Sequence, residues 1–146
     1  MKESRSVYRS ALITGVLLIL TSLLHFFNIN DTMIAIKTGD IAPSHASNAV
    51  STWVFSGISM FMIGVWLLFL LDNLKKLQIK AWWQAFLIGT ALVAFGGGCW
   101  LKYPKELHLL YFLLLGMILL VPLIFQAGRF RKLNRKKEIS ISGNEE

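Results

Sequence analysis

Three histidines are the residues of this sequence with the widest chemistry. His25 closes an apolar run, His45 lies in the polar stretch SHASN, and His108 opens another apolar run. A neutral imidazole can move protons near pH 7, three imidazoles with carboxylates can bind a divalent metal, and a pair on two helices can hold a haem iron. The three histidines are far apart and form no pair at helical ligand spacing. The sequence therefore predicts no metal site.

Two polar stripes accompany the histidines. Residues three, four or seven positions apart share one face of a helix. In the first apolar run such a stripe consists of Thr14, Thr21, His25 and Asn28. In the second run it consists of Asn48, Thr52, Ser56 and Ser59. Because hydrocarbon offers no hydrogen-bond partner, we expect both stripes to face the interior of a helix bundle.

The stripes and the nearby aromatic residues define a candidate pocket. Histidine, tryptophan and tyrosine all favour the membrane interface, because each combines an apolar body with a polar tip. A purely interfacial role is therefore one interpretation, and a pocket for a lipid, a quinone or another apolar molecule is the other. The candidate ligand-binding residues are His25, Asn28, Thr21, Thr52, Ser56, His45, His108, Trp53 and Trp100. The sequence indicates no catalytic residue and no particular cofactor.

Membrane helices must position these residues. The chain of 146 residues is 55% hydrophobic and 16% charged, with a mean hydropathy of +0.58, which is too apolar for a soluble domain of this size. Four runs without Asp, Glu, Lys or Arg have about the 20 residues that cross a bilayer, and they cover 10–27, 49–71, 81–101 and 107–127. None has the alternating polarity of membrane strands. The predicted fold is all-α, a four-helix transmembrane bundle that forms one integral membrane domain over residues 1–146.

The distribution of charge predicts the orientation. Twelve of the fifteen Lys and Arg residues lie in the N-terminus, in the connection between the second and third runs, and in the tail 128–146. Basic segments stay in the cytoplasm, so both termini are predicted to be cytoplasmic and the histidines to lie near the outer face. The net charge is +7, but the basic residues flank the apolar runs and do not form a stripe with aromatic residues. No nucleic-acid partner is therefore expected. The first run lacks a cleavage site and is predicted to be a span, not a cleaved signal peptide.

Glycines predict where helices approach each other. Gly57 and Gly64 are seven residues apart in the second run, and Gly89 and Gly96 are seven apart in the third. Such spacing lets helix backbones pack closely. The stretch FGGGCW, residues 95–100, predicts a loosened outer end of the third helix that admits the first outer loop or a ligand.

The first outer loop carries its own signals. MIAIKTG predicts a short amphipathic helix that ends at Gly39. Pro43 is then expected to interrupt helix formation, with Ser44 or Ser47 as the cap of the second spanning helix. Pro122 predicts a bend near the cytoplasmic end of the fourth helix.

The order of segments resembles a known layout. The chain combines an opening GVLLILTSLLH, a long outer loop, the run WVFSGISMFMIGVWLLFLLD and two further short spans. It resembles a family of small four-span bacterial membrane proteins without an assigned function, and its layout is similar to that of DoxX-like proteins. The resemblance covers Ser10 to about Phe125 and implies a location in the bacterial inner membrane. The quinone-linked oxidation associated with DoxX-like proteins is not carried over, because no catalytic signature matches.

Three functional hypotheses follow from these patterns. The first is a multi-pass protein with a polar pocket in the outer leaflet that binds a lipid, a quinone or another apolar molecule. The second is a non-catalytic accessory subunit that docks onto a membrane partner or a second copy. The third is a membrane redox or isomerase enzyme that uses His25 or His108 as acid and base. Phosphate loops, nucleophile elbows and dinucleotide fingerprints are absent, and no ionisable residue lies in mid-span. The first two hypotheses are therefore favoured, with the lipid bilayer as the common partner.

Overall fold

The computed structural model describes residues 5–105 and 107–142, with side chains over 5–105 and 109–135. Within these ranges the chain forms five helices and no strand: α1 (Arg5–Phe27), α2 (Ile29–Thr38), α3 (Pro43–Lys75), α4 (Ile79–Lys102) and α5 (Leu107–Ser142). Four of these, all except the short α2, are long and apolar enough to cross a membrane. The predicted all-α four-helix class is confirmed.

The four long helices expose much of their apolar surface. Phe27, Phe55, Phe69, Leu101 and Phe125 are each more than two thirds exposed. In water, exposed apolar surface on this scale would drive aggregation, whereas lipid chains solvate it at no cost. Long apolar helices with outward-facing large side chains define a multi-pass membrane protein.

Each long helix extends beyond its predicted apolar run. α5 extends furthest, to Ser142, and α3 already starts at Pro43. The expected cap at Ser44 or Ser47 is therefore wrong, whereas the expected break before SHASN is present at residues 39–42, between α2 and α3. Proline suits the first position of a helix, where its missing N–H would have no intrahelical partner and its fixed φ is already helical.

The predicted short helix in the first loop is confirmed. It is α2, and it ends at Gly39, which has a φ of 86° and donates its N–H to the carbonyl of Ile36. Only glycine adopts this left-handed conformation without strain. No residue of α2 is buried. Its exposed Met33 and Ile34 leave an apolar surface available to lipid.

The chain divides into two compact units. One consists of Gly15–Trp66, which includes the second half of α1, all of α2 and most of α3. The other consists of the chain up to Thr14 together with the chain from Leu67 onward. The main contact in the first unit is between α1 and α3, called here the α1–α3 seam. The main contact in the second unit is the α4–α5 seam.

The α4–α5 seam is built from small residues that face bulky ones. A Cβ on Gly89 would lie 2.8 Å from Cγ of Leu120, and one on Gly96 would lie 2.9 Å from the carbonyl oxygen of Leu109. The predicted packing of Gly89 and Gly96 against a neighbouring helix is confirmed. The stretch FGGGCW does not loosen α4, which stays helical to Lys102. The atoms nearest to a Cβ on Gly96 belong to Leu109 and Leu113 of α5.

Candidate functional site

The α1–α3 seam brings two helix backbones within van der Waals contact. A Cβ on Gly64 would lie 2.8 Å from the carbonyl oxygen of Gly15 and 2.8 Å from Cγ1 of Ile19. Two turns nearer the start of α3, a Cβ on Gly57 would lie 3.2 Å from Cζ of Phe26. The glycine spacing of α3 therefore determines how closely α1 approaches, and short polar side chains can reach across this gap.

Ser22 makes the first hydrogen bond between the two helices. Its hydroxyl is fully buried and donates to the carbonyl of Gly57 over 2.7 Å. The sequence analysis did not select Ser22 as a site residue. A signal was present, because Ser22 lies three residues before His25 and so on nearly the same face of α1.

His25 lies one turn further along α1 and is bound to α3 through both its side chain and its backbone. Its Nε2 lies 3.0 Å from the carbonyl oxygen of Trp53 and 2.9 Å from Oγ of Ser56. In return, Nε1 of Trp53 donates to the carbonyl oxygen of His25 over 2.9 Å. The imidazole also stacks on the indole, with ring centroids 3.8 Å apart and planes inclined by 14°. We call His25, Trp53 and Ser56 the histidine cluster.

The hydrogen bonds of the cluster indicate which ring nitrogen carries the proton. The carbonyl oxygen of Trp53 can only accept a hydrogen bond. If Nε2 carried no proton, its lone pair would face a lone pair of this oxygen and the two would repel each other. The hydroxyl of Ser56 can donate to the same carbonyl oxygen, which lies 2.9 Å away. Its oxygen can at the same time accept a hydrogen bond from Nε2 of His25. We therefore assign the proton of the neutral imidazole to Nε2. Nδ1 is then an acceptor, and no hydrogen bond reaches it within the described part of the chain.

The indole of Trp53 also completes the end of α1. The last carbonyls of a helix have no intrahelical partner. α1 ends at Phe27, and among the described residues the carbonyl of His25 receives the indole N–H of Trp53. Hydrocarbon offers this carbonyl no other partner, so the bond stabilises the helix end, and hydrogen bonds between membrane helices are worth about 0.6 kcal/mol on average. It also positions the imidazole of the same residue.

Four other predicted pocket residues lie in the same unit as the histidine cluster. Thr21 is half-buried and donates to the carbonyl of Leu17 in its own helix. Asn28, His45 and Thr52 are exposed. Ser56 therefore meets His25, whereas Thr52, one turn earlier on α3, does not.

Two predicted residues lie in the other unit. Trp100 belongs to α4, and its Nε1 is buried without a hydrogen-bond partner among the described residues. His108 lies in the first turn of α5, and its side chain is outside the described residues. In the part of the chain that the structure describes, no three His, Cys, Asp or Glu side chains lie close enough to hold a metal ion.

The chain matches no protein-family model, no curated protein and no solved structure. Its class, a multi-pass membrane protein, and its candidate site are therefore argued from its own sequence and geometry.

Proposed function

We propose that this protein binds an apolar small molecule with a hydroxyl group, such as a quinol or a hydroxyl-bearing lipid, at the histidine cluster. The observation that carries the proposal is the half-buried imidazole of His25, whose Nε2 is hydrogen-bonded to α3 while Nδ1 receives no hydrogen bond from the described residues. A neutral imidazole with its proton on Nε2 offers an acceptor at Nδ1. Its natural ligand group is a hydroxyl that donates.

The surroundings of the cluster favour an apolar ligand that arrives through the membrane. Leu24 and Phe27 on α1 and Phe55 on α3 are 64%, 75% and 71% exposed. Residues one or two positions apart on a helix do not share a face, so these side chains point away from the cluster and give the two helices the apolar outer surface that a ligand in the membrane would meet first. The stacked indole of Trp53 covers one face of the imidazole and keeps the ring fixed. A fixed acceptor binds more tightly than a mobile one, because less side-chain entropy is lost on binding.

The charge distribution leads us to propose a bacterial inner membrane with the histidine cluster in its outer leaflet. A topology reporter fused after Glu146 is then expected in the cytoplasm, and one inserted at Thr38 is expected outside. A C-terminal reporter outside the cytoplasm would reverse the orientation and move the cluster to the inner leaflet. The resemblance to DoxX-like proteins stays a prediction, and no reaction is assigned to the site.

The test compares a short-chain quinol with its dimethyl ether on the purified full-length protein. The ether has the same shape in the tail and ring but cannot donate a hydrogen bond. We expect the quinol to bind about fivefold more tightly, as one net hydrogen bond of about 1 kcal/mol implies. Titration calorimetry in detergent micelles measures both affinities.

Two substitutions at His25 separate binding from stability. The amide of Gln reaches the position of Nε2, so His25→Gln should keep the bonds to α3 and lose the preference for the quinol. The amide of Asn reaches the position of Nδ1, so His25→Asn should keep more of that preference at a lower melting temperature. Ser22→Ala, in the same seam, serves as the control and should leave the preference unchanged. Equal affinities for quinol and ether in the wild-type protein would contradict the proposal and favour the accessory-subunit hypothesis.

A further inference from the structure

A second feature lies where α3 turns into α4. A cavity of about 210 Å³ is lined by the α3–α4 turn, the start of α4 and one turn of α5, through Leu77, Gln78, Ile79, Lys80, Leu133 and Asn134. Half of these side chains are apolar and half are polar. Pockets that enclose drug-sized molecules have about 300–1,000 Å³. This cavity is smaller and suits a compact polar group attached to an apolar remainder.

The cavity lies in the most basic part of the described chain. The segments 72–80 and 129–135 contain Lys75, Lys76, Lys80, Arg129, Arg131, Lys132 and Arg135, whereas Asp72 is their one carboxylate. Lys80 is exposed and contributes to the cavity wall. The positive potential of this region therefore favours an anionic occupant.

The position along the helices matches the depth of lipid headgroups. α3 ends at Lys75, α4 begins at Ile79, and the apolar run of α5 gives way to basic sequence at Arg129. All three boundaries belong to the same compact unit. The cavity thus lies where the apolar spans give way to basic sequence, and Leu77, Ile79 and Leu133 supply the apolar part of its wall.

The backbone in the cavity wall is strained. Leu77 has a φ of 54° in the turn after α3, a left-handed conformation that glycine adopts without strain and leucine does not. Its N–H donates to the carbonyl of Leu74, and that of Gln78 donates to the carbonyl of Asn73. These bonds hold the turn that carries Gln78 and Lys80 into the wall. α4 starts there without a side-chain cap, so its first N–H groups add donors for an anion.

We propose that this cavity binds the phosphate headgroup of one anionic phospholipid, with Lys80 as its principal cationic contact. The phosphate accepts from the ammonium group of Lys80 and from the amide of Gln78, while the acyl chains lie along the apolar surfaces of α4 and α5. This site is separate from the histidine cluster and does not depend on the proposed function.

The test measures lipid retention by native mass spectrometry of the full-length protein. Micelles are loaded with phosphatidylglycerol or with phosphatidylcholine of identical acyl chains. The wild-type protein should retain one phosphatidylglycerol per chain in preference to phosphatidylcholine. Lys80→Gln should weaken this retention about tenfold, the effect of one hydrogen bond to a charged group, and Lys80→Arg should restore most of it.

Lys76→Gln is the matched control, because Lys76 is also exposed, carries the same charge and lies four residues away outside the cavity wall. It should keep the bound phosphatidylglycerol. Equal losses in Lys80→Gln and Lys76→Gln would overturn the proposal, because a diffuse basic surface would then account for retention. Inorganic phosphate distinguishes the source of the phosphate: at millimolar concentration it should not displace the lipid, and binding of inorganic phosphate without lipid retention would also overturn the proposal.

Discussion

The two seams use the same packing device but carry different chemistry. In both, a glycine lets a neighbouring helix approach its backbone: Gly64 in the α1–α3 seam and Gly96 in the α4–α5 seam. In both, an indole N–H donates to a carbonyl of the partner helix over 2.9 Å, from Trp53 to His25 and from Trp82 to Leu123. Among the residues whose side chains are described, the α1–α3 seam alone of the two adds a buried serine and a histidine cluster.

The difference separates packing from function. Small residues at seven-residue spacing determine how closely two helices approach, and they do so equally in an inert seam and in a polar one. A polar group inside a membrane lowers the stability of the fold unless it has a hydrogen-bond partner. α4 pairs the indole of Trp82 with α5 and buries Ala81, Ala85, Gly89, Leu92 and Gly96, while the buried Nε1 of Trp100 has no partner among the described residues. In the α1–α3 seam, Nδ1 of His25 receives no hydrogen bond from the described residues, and it sits on a ring that is already held by two partners on α3. That fixed acceptor is the reason for placing a ligand there.

Gly96→Ala should have the largest effect on stability and lies in the inert seam. The added Cβ would meet the backbone nitrogen of Leu113 and the carbonyl of Leu109, neither of which can move without the helix. We expect the free energy of unfolding to fall by about 3 kcal/mol, at the upper end for overpacked cores. Thermal unfolding in detergent measures the change.

The control for Gly96→Ala is Gly98→Ala on the same helix. A Cβ at Gly98 meets nothing within 4 Å. This variant should be neutral or more stable by up to about 1 kcal/mol, because alanine is the better helix former. Equal destabilisation of the two variants would mean that α5 does not approach Gly96 as closely as described.

Gly64→Ala should have an intermediate effect in the α1–α3 seam. Its Cβ would meet the carbonyl oxygen of Gly15 at 2.8 Å, and we expect a loss of about 2 kcal/mol in unfolding free energy. In Gly57→Ala the added Cβ would lie 3.2 Å from the ring of Phe26 and 3.3 Å from the imidazole of His25. Both are side chains that can shift, so the free energy of unfolding should fall by less than about 1 kcal/mol. A larger loss for Gly57 than for Gly64 in chemical denaturation would reverse the assignment of the closest approach.

The smallest effects should come from the matched pair Trp53→Phe and Trp82→Phe. Each removes one indole donor from a partner carbonyl and keeps an aromatic ring. Hydrogen bonds between membrane helices are worth about 0.6 kcal/mol on average, so both variants should lose a similar, small amount of stability. Only Trp53→Phe should also lose quinol affinity, because only Trp53 positions His25. Equal loss of quinol affinity in both variants would remove the distinction between the seams.

Much of the fold could be predicted from local sequence. Apolar runs of sufficient length without charges dictate membrane helices, because in hydrocarbon every backbone N–H and C=O must be paired within the segment. Gly39 had to end α2, since the left-handed conformation there favours glycine. The glycine pairs of α3 and α4 had to lie in seams. These are properties of one segment and its solvent, and they do not depend on the neighbouring helix.

The tertiary structure alone decided which polar residues meet. Thr52 and Ser56 lie on the same stripe of α3, yet Ser56 bonds to His25 whereas Thr52 is exposed, and Ser22, which the predicted stripe did not include, bonds to α3. Likewise α5 packs on Gly96. Helical periodicity restricts a residue to one face of its own helix, but rotation and relative depth of the partner helix choose among the residues on that face. Those two quantities result from the packing of both helices together, and neither sequence segment contains them by itself.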